Sequence, residues 1–151
     1  MTSPLILLPP SEGKAPGGDG PVWEKGQQSF SELLKPRRQV LAALRKAMRE
    51  NEAARTKLLG VKGERVAEAT TANLVAHKAA TWPAIERYTG VLYDALAYSA
   101  LPAKLQKRVD KQVVIFSGLW GAVRPKDALP DYKLKMGAKL SGFGPPARFW
   151  K

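Results

Sequence analysis

Four consecutive apolar residues, Val113, Val114, Ile115 and Phe116, constrain this chain more than any other stretch. The run does not alternate and three of its members are β-branched, which fits a strand covered on both faces inside an α/β sheet. Ser117, Gly118 and Gly121 break it. Glycines after a central strand let the backbone turn sharply and approach a ligand, and ligands favour strand ends in open sheets; a plain turn uses the same residues. A second short run, residues 5–8, stops at Pro9 and Pro10, which cannot donate to a ladder. Ser11, Glu12, Gly13 and Lys14 then form a polar turn, and the Gly- and Pro-rich residues 15–21 read as a flexible loop. If the two strands are neighbours, the two polar turns lie side by side. The Gly13-Lys14 pair is no phosphate loop, because Leu8 stands where the upstream glycine is required.

Between these strands the pattern is helical. Pro36 suits the first turn of a long helix whose buried stripe is Val40, Leu41, Leu44 and Met48 and which runs to about Leu59. Arg38, Arg45 and Arg49 fall on another face. Residues 60–63 interrupt it, and a second helical pattern follows through Val66, Ala67, Thr70 and Leu74. The stretch Leu59-Gly60-Val61-Lys62-Gly63-Glu64-Arg65 resembles a helix-hairpin-helix module, placed here at residues 36–76. In such a hairpin, glycines with positive φ leave backbone N–H groups at the start of the second helix free to meet a phosphate. Val61 would pin the turn to the core, while Lys57, Lys62 and Arg65 would add charge around that phosphate without reading bases. The same glycines serve equally to cap one helix and relax the turn.

Charge points the same way. The net charge of +12 is segregated: residues 35–65 carry ten Lys or Arg against three Glu, and residues 103–151 carry eleven against three Asp. Clustered positive charge attracts polyanions through counterion release, although well-hydrated lysines also keep a protein soluble. The absence of Cys removes disulfides, thiolate catalysis and cysteine-type zinc sites. His77 is the single histidine and has no second ligand one turn away, so no metal site and no tightly held iron are expected. The apolar run at 5–8 is too short for a signal peptide or a membrane span, so a cytoplasmic location with no membrane partner is expected. At 44% hydrophobic and 25% charged residues, 151 residues suit one folded domain.

Several further segments carry weaker readings. Trp82-Pro83 reads as a break between elements. Tyr88, Val91, Leu92, Ala95 and Leu96 recur as a helical face, which makes Tyr88 and Tyr93 packing groups. Lys104, Lys107, Arg108 and Lys111 read as a solvated helix face, with a phosphate-facing surface as the alternative. After the central strand, Arg124, Asp127, Asp131, Tyr132, Lys133 and Lys135 fall in a loop stiffened by Pro125 and Pro130.

That loop carries a resemblance. SGLWGAVRPKDALPDYKLKMG, beginning at Ser117, is similar to the SGLYGxLRPxDxxxxYRLEMG signature of the peroxide stress YaaA family. LPPSEGK at 8–14 and RYTGVLYDAL at 87–96 resemble two further blocks of that family in the same order. The resemblance implies a mixed α/β (α+β) fold of family-specific type, with a partly parallel or mixed sheet and an inserted helix-hairpin-helix. It also implies a role in hydrogen peroxide stress through binding of double-stranded or structured DNA, helping to limit iron-linked damage. Without a cofactor and without an obvious nucleophile and base, the chain reads as a binding protein more than an enzyme. The alternative is a site for a phosphorylated or nucleotide ligand, a small anion in chemical terms. Ser11, Glu12, Lys14, Ser117, Gly118, Gly121, Arg124, Asp127 and Tyr132 would line it, with Arg124 free to meet Glu12 or the anion. Members of the family continue past residue 151, so the chain reads as either truncated or lacking the family's second half, and the aromatics Phe149 and Trp150, a surface normally buried, favour truncation.

Overall fold

The apolar run at 113–116 is a strand, and it is the middle strand of a three-stranded sheet. The computed structural model describes residues 2–151. In chain order its elements are β1 (Ile6–Leu8), α1 (Leu34–Ala47), α2 (Glu52–Leu59), α3 (Glu64–Val75), β2 (Trp82–Pro83), α4 (Ala84–Arg87) and α5 (Val91–Leu96). There follow α6 (Ala103–Gln112), β3 (Val113–Ser117), β4 (Gly121–Val123), β5 (Ala128–Leu129) and α7 (Pro146–Phe149). β1 pairs parallel with β3, with Leu8 opposite Ile115, and β4 pairs antiparallel on the other side of β3. A parallel pair needs a long crossover, and here it holds α1 to α6. β2 and β5 form a separate antiparallel pair. The sheet is therefore mixed and the fold α+β.

Val113, Val114 and Ile115 are buried, but Phe116 is 40% exposed, and Leu5, Ile6 and Leu7 stand open to solvent at the sheet edge. Cover on both faces holds for the first three residues of the run and ends at Phe116. The face expected around Tyr88 differs more. Tyr88 and Tyr93 are buried, yet Val91, Leu92 and Ala95 are exposed, because α5 begins only at Val91 and leaves Tyr88 outside its helical period. Lys104, Lys107, Arg108 and Lys111 form an exposed face of α6, as the solvated reading required.

The helix expected to run from Pro36 to Leu59 is two helices. Asn51 interrupts it: its side-chain oxygen accepts the N–H of Ala54 at 2.9 Å and caps α2, while Met48 closes α1. Val40, Leu41, Leu44 and Met48 are buried, as their spacing requires. The substitution Asn51→Ala removes one orphan-donor partner and is expected to lower stability by about 1 kcal/mol; a denaturant titration would show the lower midpoint with an unchanged slope.

Two arginines lie inside the molecule. Arg37 of α1 donates from Nε to the Trp120 carbonyl at 2.8 Å and from Nη2 to that of Ala122 at 2.7 Å, which ties α1 to the turn and strand after β3. Arg87 of α4 donates to the carbonyls of Leu129, Ala15 and Gly17. Burial lowers the pKa of both.

Residues 15–21, expected to be a flexible loop, are held in place. Besides the Arg87 bonds, the Ala15 N–H donates to the Arg87 carbonyl at 2.8 Å and Gly20 bridges Thr81. At Gly18 and Gly20 a Cβ would meet the Thr81 carbonyl oxygen at 2.8 Å, so the glycines permit close backbone contact there. Phe149 and Trp150, expected to lack cover, are half-buried. Trp150 donates its indole N–H to the Gly118 carbonyl at 2.9 Å, and Phe149 packs on Phe143.

Candidate functional site

Because β1 and β3 are parallel neighbours, the chain leaves both at the same end of the sheet, and the two polar turns face one another there. What joins them is Tyr132. Its ring is buried, its hydroxyl lies 2.8 Å from Ser117 Oγ and 2.5 Å from the Tyr88 hydroxyl, and the Ser117 oxygen also accepts the Trp120 N–H. Burial pushes the Tyr132 hydroxyl up to about 12 and raises that of Tyr88 well above its ordinary value, so both stay neutral.

Lys14 lies over the Tyr132 ring at 4.3 Å and 5.8 Å from that of Tyr88, and its Nζ donates to the carbonyls of Ser11 and Glu12 at 3.3 Å. Burial, then the nearby charge of Lys133, brings its pKa down to about 8. Around it is a cavity of about 180 Å³ lined by Ser11, Glu12, Lys14, Tyr132, Lys133 and Lys135 among others. A second depression shares Glu12, Lys14, Tyr132 and Lys133 with it and continues to Val61, Arg65, Glu68 and Asp131. The strand-end turn and the turn between α2 and α3 thus border adjoining depressions that share one wall.

The tie between them is covalently remote but tight. Asn73 of α3 accepts the Lys133 N–H at 2.7 Å and donates to the Lys133 carbonyl at 2.9 Å, so α3 grips the loop that carries Tyr132. Gly60 ends α2 in the left-handed region at φ 66°, and a Cβ there would meet Lys135 Nζ at 2.7 Å. Lys135 in turn pairs with Glu12 at 3.4 Å, both side chains substantially exposed. Gly63 opens α3 at φ 63° and ψ −140°, and nothing stands within 4 Å of the place its Cβ would occupy. Lys57, Lys62 and Arg65 are exposed around this turn, and Val61 is half-buried against the core.

Several expected pocket residues serve the fold instead. Gly121 has φ 75°, and a Cβ on it would meet the Trp150 ring at 2.8 Å; at Gly118 it would come within 3.3 Å of the Met136 backbone. Both close approaches are therefore filled by the chain itself. Ser117 lies behind Tyr132, fully buried. Arg124 does not reach Glu12: its Nη1 donates to the Lys111 carbonyl at 2.9 Å, at the opposite end of β3, and its guanidinium lies over Phe30. Asp127 is buried, accepting from the N–H and hydroxyl of Ser29 and from the Arg124 N–H, which closes the loop. Lys133 and Lys135, absent from the expected pocket, do line it. Their signal was the alternation over 131–135, where Tyr132 and Leu134 are buried while Asp131, Lys133 and Lys135 turn outward.

The model of the family described as peroxide stress protein YaaA matches residues 5–151. The chain belongs to this family. A UPF0246 protein of Streptomyces coelicolor is 41% identical over 148 residues, covering 97% of this chain and 56% of the relative. A UPF0246 protein of Corynebacterium efficiens is 42% identical over 139 residues, covering 91% and 53%. An uncharacterized protein of Campylobacter jejuni is 42% identical over 86 residues, 57% of this chain. The chain spans about half the length of the first two relatives. Among the described residues no helix is long and apolar enough to cross a membrane, and no group of three or more His, Cys, Asp or Glu could hold a metal ion. The YaaA-family signature in this chain thus builds the wall of these depressions with Tyr132, Lys133 and Lys135 and fastens it to α3.

Proposed function

We propose that this YaaA-family chain serves peroxide stress by binding double-stranded or structured DNA through the turn between α2 and α3, and that it limits iron-linked damage by way of that contact. The turn at 60–63 supports the reading best. Both glycines have positive φ, Gly63 leaves open space in front of the helix start, and among the described backbone bonds the N–H groups of Glu64 and Arg65 have no carbonyl partner, whereas that of Val66 donates to the Gly63 carbonyl at 3.1 Å. Lys62 and Arg65 flank Gly63 in the sequence and are exposed, Lys135 meets the Gly60 side of the turn, and Lys57 borders a separate depression with Gly137, Ala138 and Lys139. Glu12, Glu68 and Asp131 line the second depression, so a DNA backbone is better met at the turn, where Glu64 in the first turn of α3 opposes it and Lys62 and Arg65 offset that charge. Contacts of this kind hold the backbone and do not discriminate sequence.

Lys62→Ala tests the charge around the turn. Loss of one phosphate contact is expected to weaken binding by a similar, modest factor on unrelated duplexes and to reduce the salt slope by about one unit. Fluorescence anisotropy across a salt series measures both. An unchanged slope would take Lys62 out of the interface. The cavity at Lys14 favours a second reading, a site for a small phosphorylated or nucleotide anion, since Lys14, Lys133 and Lys135 outnumber Glu12 among its charged walls. Calorimetric titration with nucleotides and inorganic phosphate would test it, and heats no larger than dilution would remove it.

A further inference from the structure

Lys14 has the surroundings of a reactive amine rather than of a surface cation. Among the described residues no carboxylate forms an ion pair with it, the Glu12 carboxylate turning to Lys135; burial, Lys133 and Arg87 lower its basicity more than nearby Asp131 and Glu12 raise it. Its Nζ instead rests on the Tyr132 ring and on two backbone carbonyls at 3.3 Å, at the wall of an open cavity. Tyr132 cannot swing away, because its hydroxyl is fixed between Ser117 and Tyr88. A half-buried lysine beside a second cation has surroundings that favour an amine able to form Schiff bases with carbonyl compounds. Lys133 is that cation, and Lys135 completes a rim suited to a phosphate.

We propose that Lys14 is a covalent amine site for a sugar-phosphate aldehyde. The Nζ lone pair forms a bond to the carbonyl carbon, the C=O π pair moves to oxygen, and that oxygen takes up a proton as the nitrogen gives one up. The nitrogen lone pair then expels the protonated hydroxyl as water and forms the C=N bond of an iminium, which loses its N–H proton to solvent to reach the imine. Nothing is oxidised or reduced. Tyr132 is a positioning residue that holds the amine against its ring. The depressed basicity of Lys14 puts free amine within reach at neutral to mildly alkaline pH. The aldehyde has two sources with the same chemistry, the ring-opened sugar of an abasic position in a DNA duplex and a free deoxyribose phosphate. The first source rests on the DNA reading above; the second does not.

Trapping with cyanoborohydride tests the proposal on the chain as it is. It is incubated in parallel with a duplex carrying a single abasic position and with free deoxyribose phosphate, and the adduct is mapped by peptide mass spectrometry. The expected result is an adduct on Lys14, lost in Lys14→Arg, whose rate of formation rises with pH through about 8, where the amine loses its proton. An adduct with both probes, or with the duplex alone, supports the proposal together with DNA binding. An adduct with the free sugar phosphate alone supports the proposal and counts against the DNA reading. No adduct with either probe, or label scattered over exposed lysines and unchanged in Lys14→Arg, overturns it. Mapping on the unaltered chain decides the matter even if the variant folds poorly.

Discussion

Replacing Arg87 by alanine is expected to destabilise the chain by about 3–5 kcal/mol, a large share of the roughly 5–15 kcal/mol that holds an ordinary domain folded. The guanidinium is fully buried and bonds three carbonyls from two distant segments, Ala15 and Gly17 on one side and Leu129 on the other. Truncation leaves those carbonyls without their donor and opens a void the size of an arginine. The loss would spread. Residues 15–17 follow Lys14 directly, so freeing them loosens the turn that sets Lys14 over Tyr132. Arg87→Lys keeps the charge but cannot span three acceptors in one plane, and an intermediate loss is expected. Circular dichroism with urea titration measures both variants. An Arg87→Ala chain that keeps its wild-type midpoint would show that these bonds contribute nothing net to the fold.

The second large effect is expected at Gly63. Its φ of 63° with ψ of −140° is close to a region populated essentially by glycine, and a β-branched residue there costs on the order of 1–3 kcal/mol. Space is not the obstacle, since nothing lies within 4 Å of the missing Cβ. Two consequences follow from Gly63→Val. Stability falls by that strain, or the turn relaxes to a new φ and swings the N–H groups at the start of α3 away from their common direction. In either case a valine side chain stands where a phosphate would approach. DNA affinity is expected to fall by about tenfold or more, beyond the effect of Lys62→Ala, since tenfold corresponds to 1.4 kcal/mol. Gly63→Ala has the same φ conflict with less bulk and is expected to lie between. A folded valine variant with unchanged affinity would reduce the turn to a connection.

The sheet was legible in the sequence because apolar runs bounded by proline and glycine have few alternatives, and the residues at 5–8 and 113–116 pair as neighbours. The limits of the reading were set by contacts distant in sequence. Arg37 and Arg87 count toward the net charge of +12 but are spent inside the molecule on backbone carbonyls, which no local pattern reveals. Arg124 and Asp127 sit in the same signature as Tyr132, yet the loop's own closure turns Arg124 to the far end of β3. The break at Asn51 was visible as a residue type that caps helices, but the hydrophobic stripe across it masked the signal. Gly118 and Gly121 did mark close approaches, to Met136 and Trp150 rather than to a ligand.

Binding of the unaltered chain to two unrelated duplexes across a series of salt concentrations tests the central claim most directly. Phosphate contact through the turn at 60–63 and its basic surroundings predicts that log affinity falls linearly with log salt concentration. The slope should be near −0.9 per neutralised phosphate and equal on both sequences. Binding that is absent at low salt, insensitive to salt, or confined to one of the two sequences would contradict it.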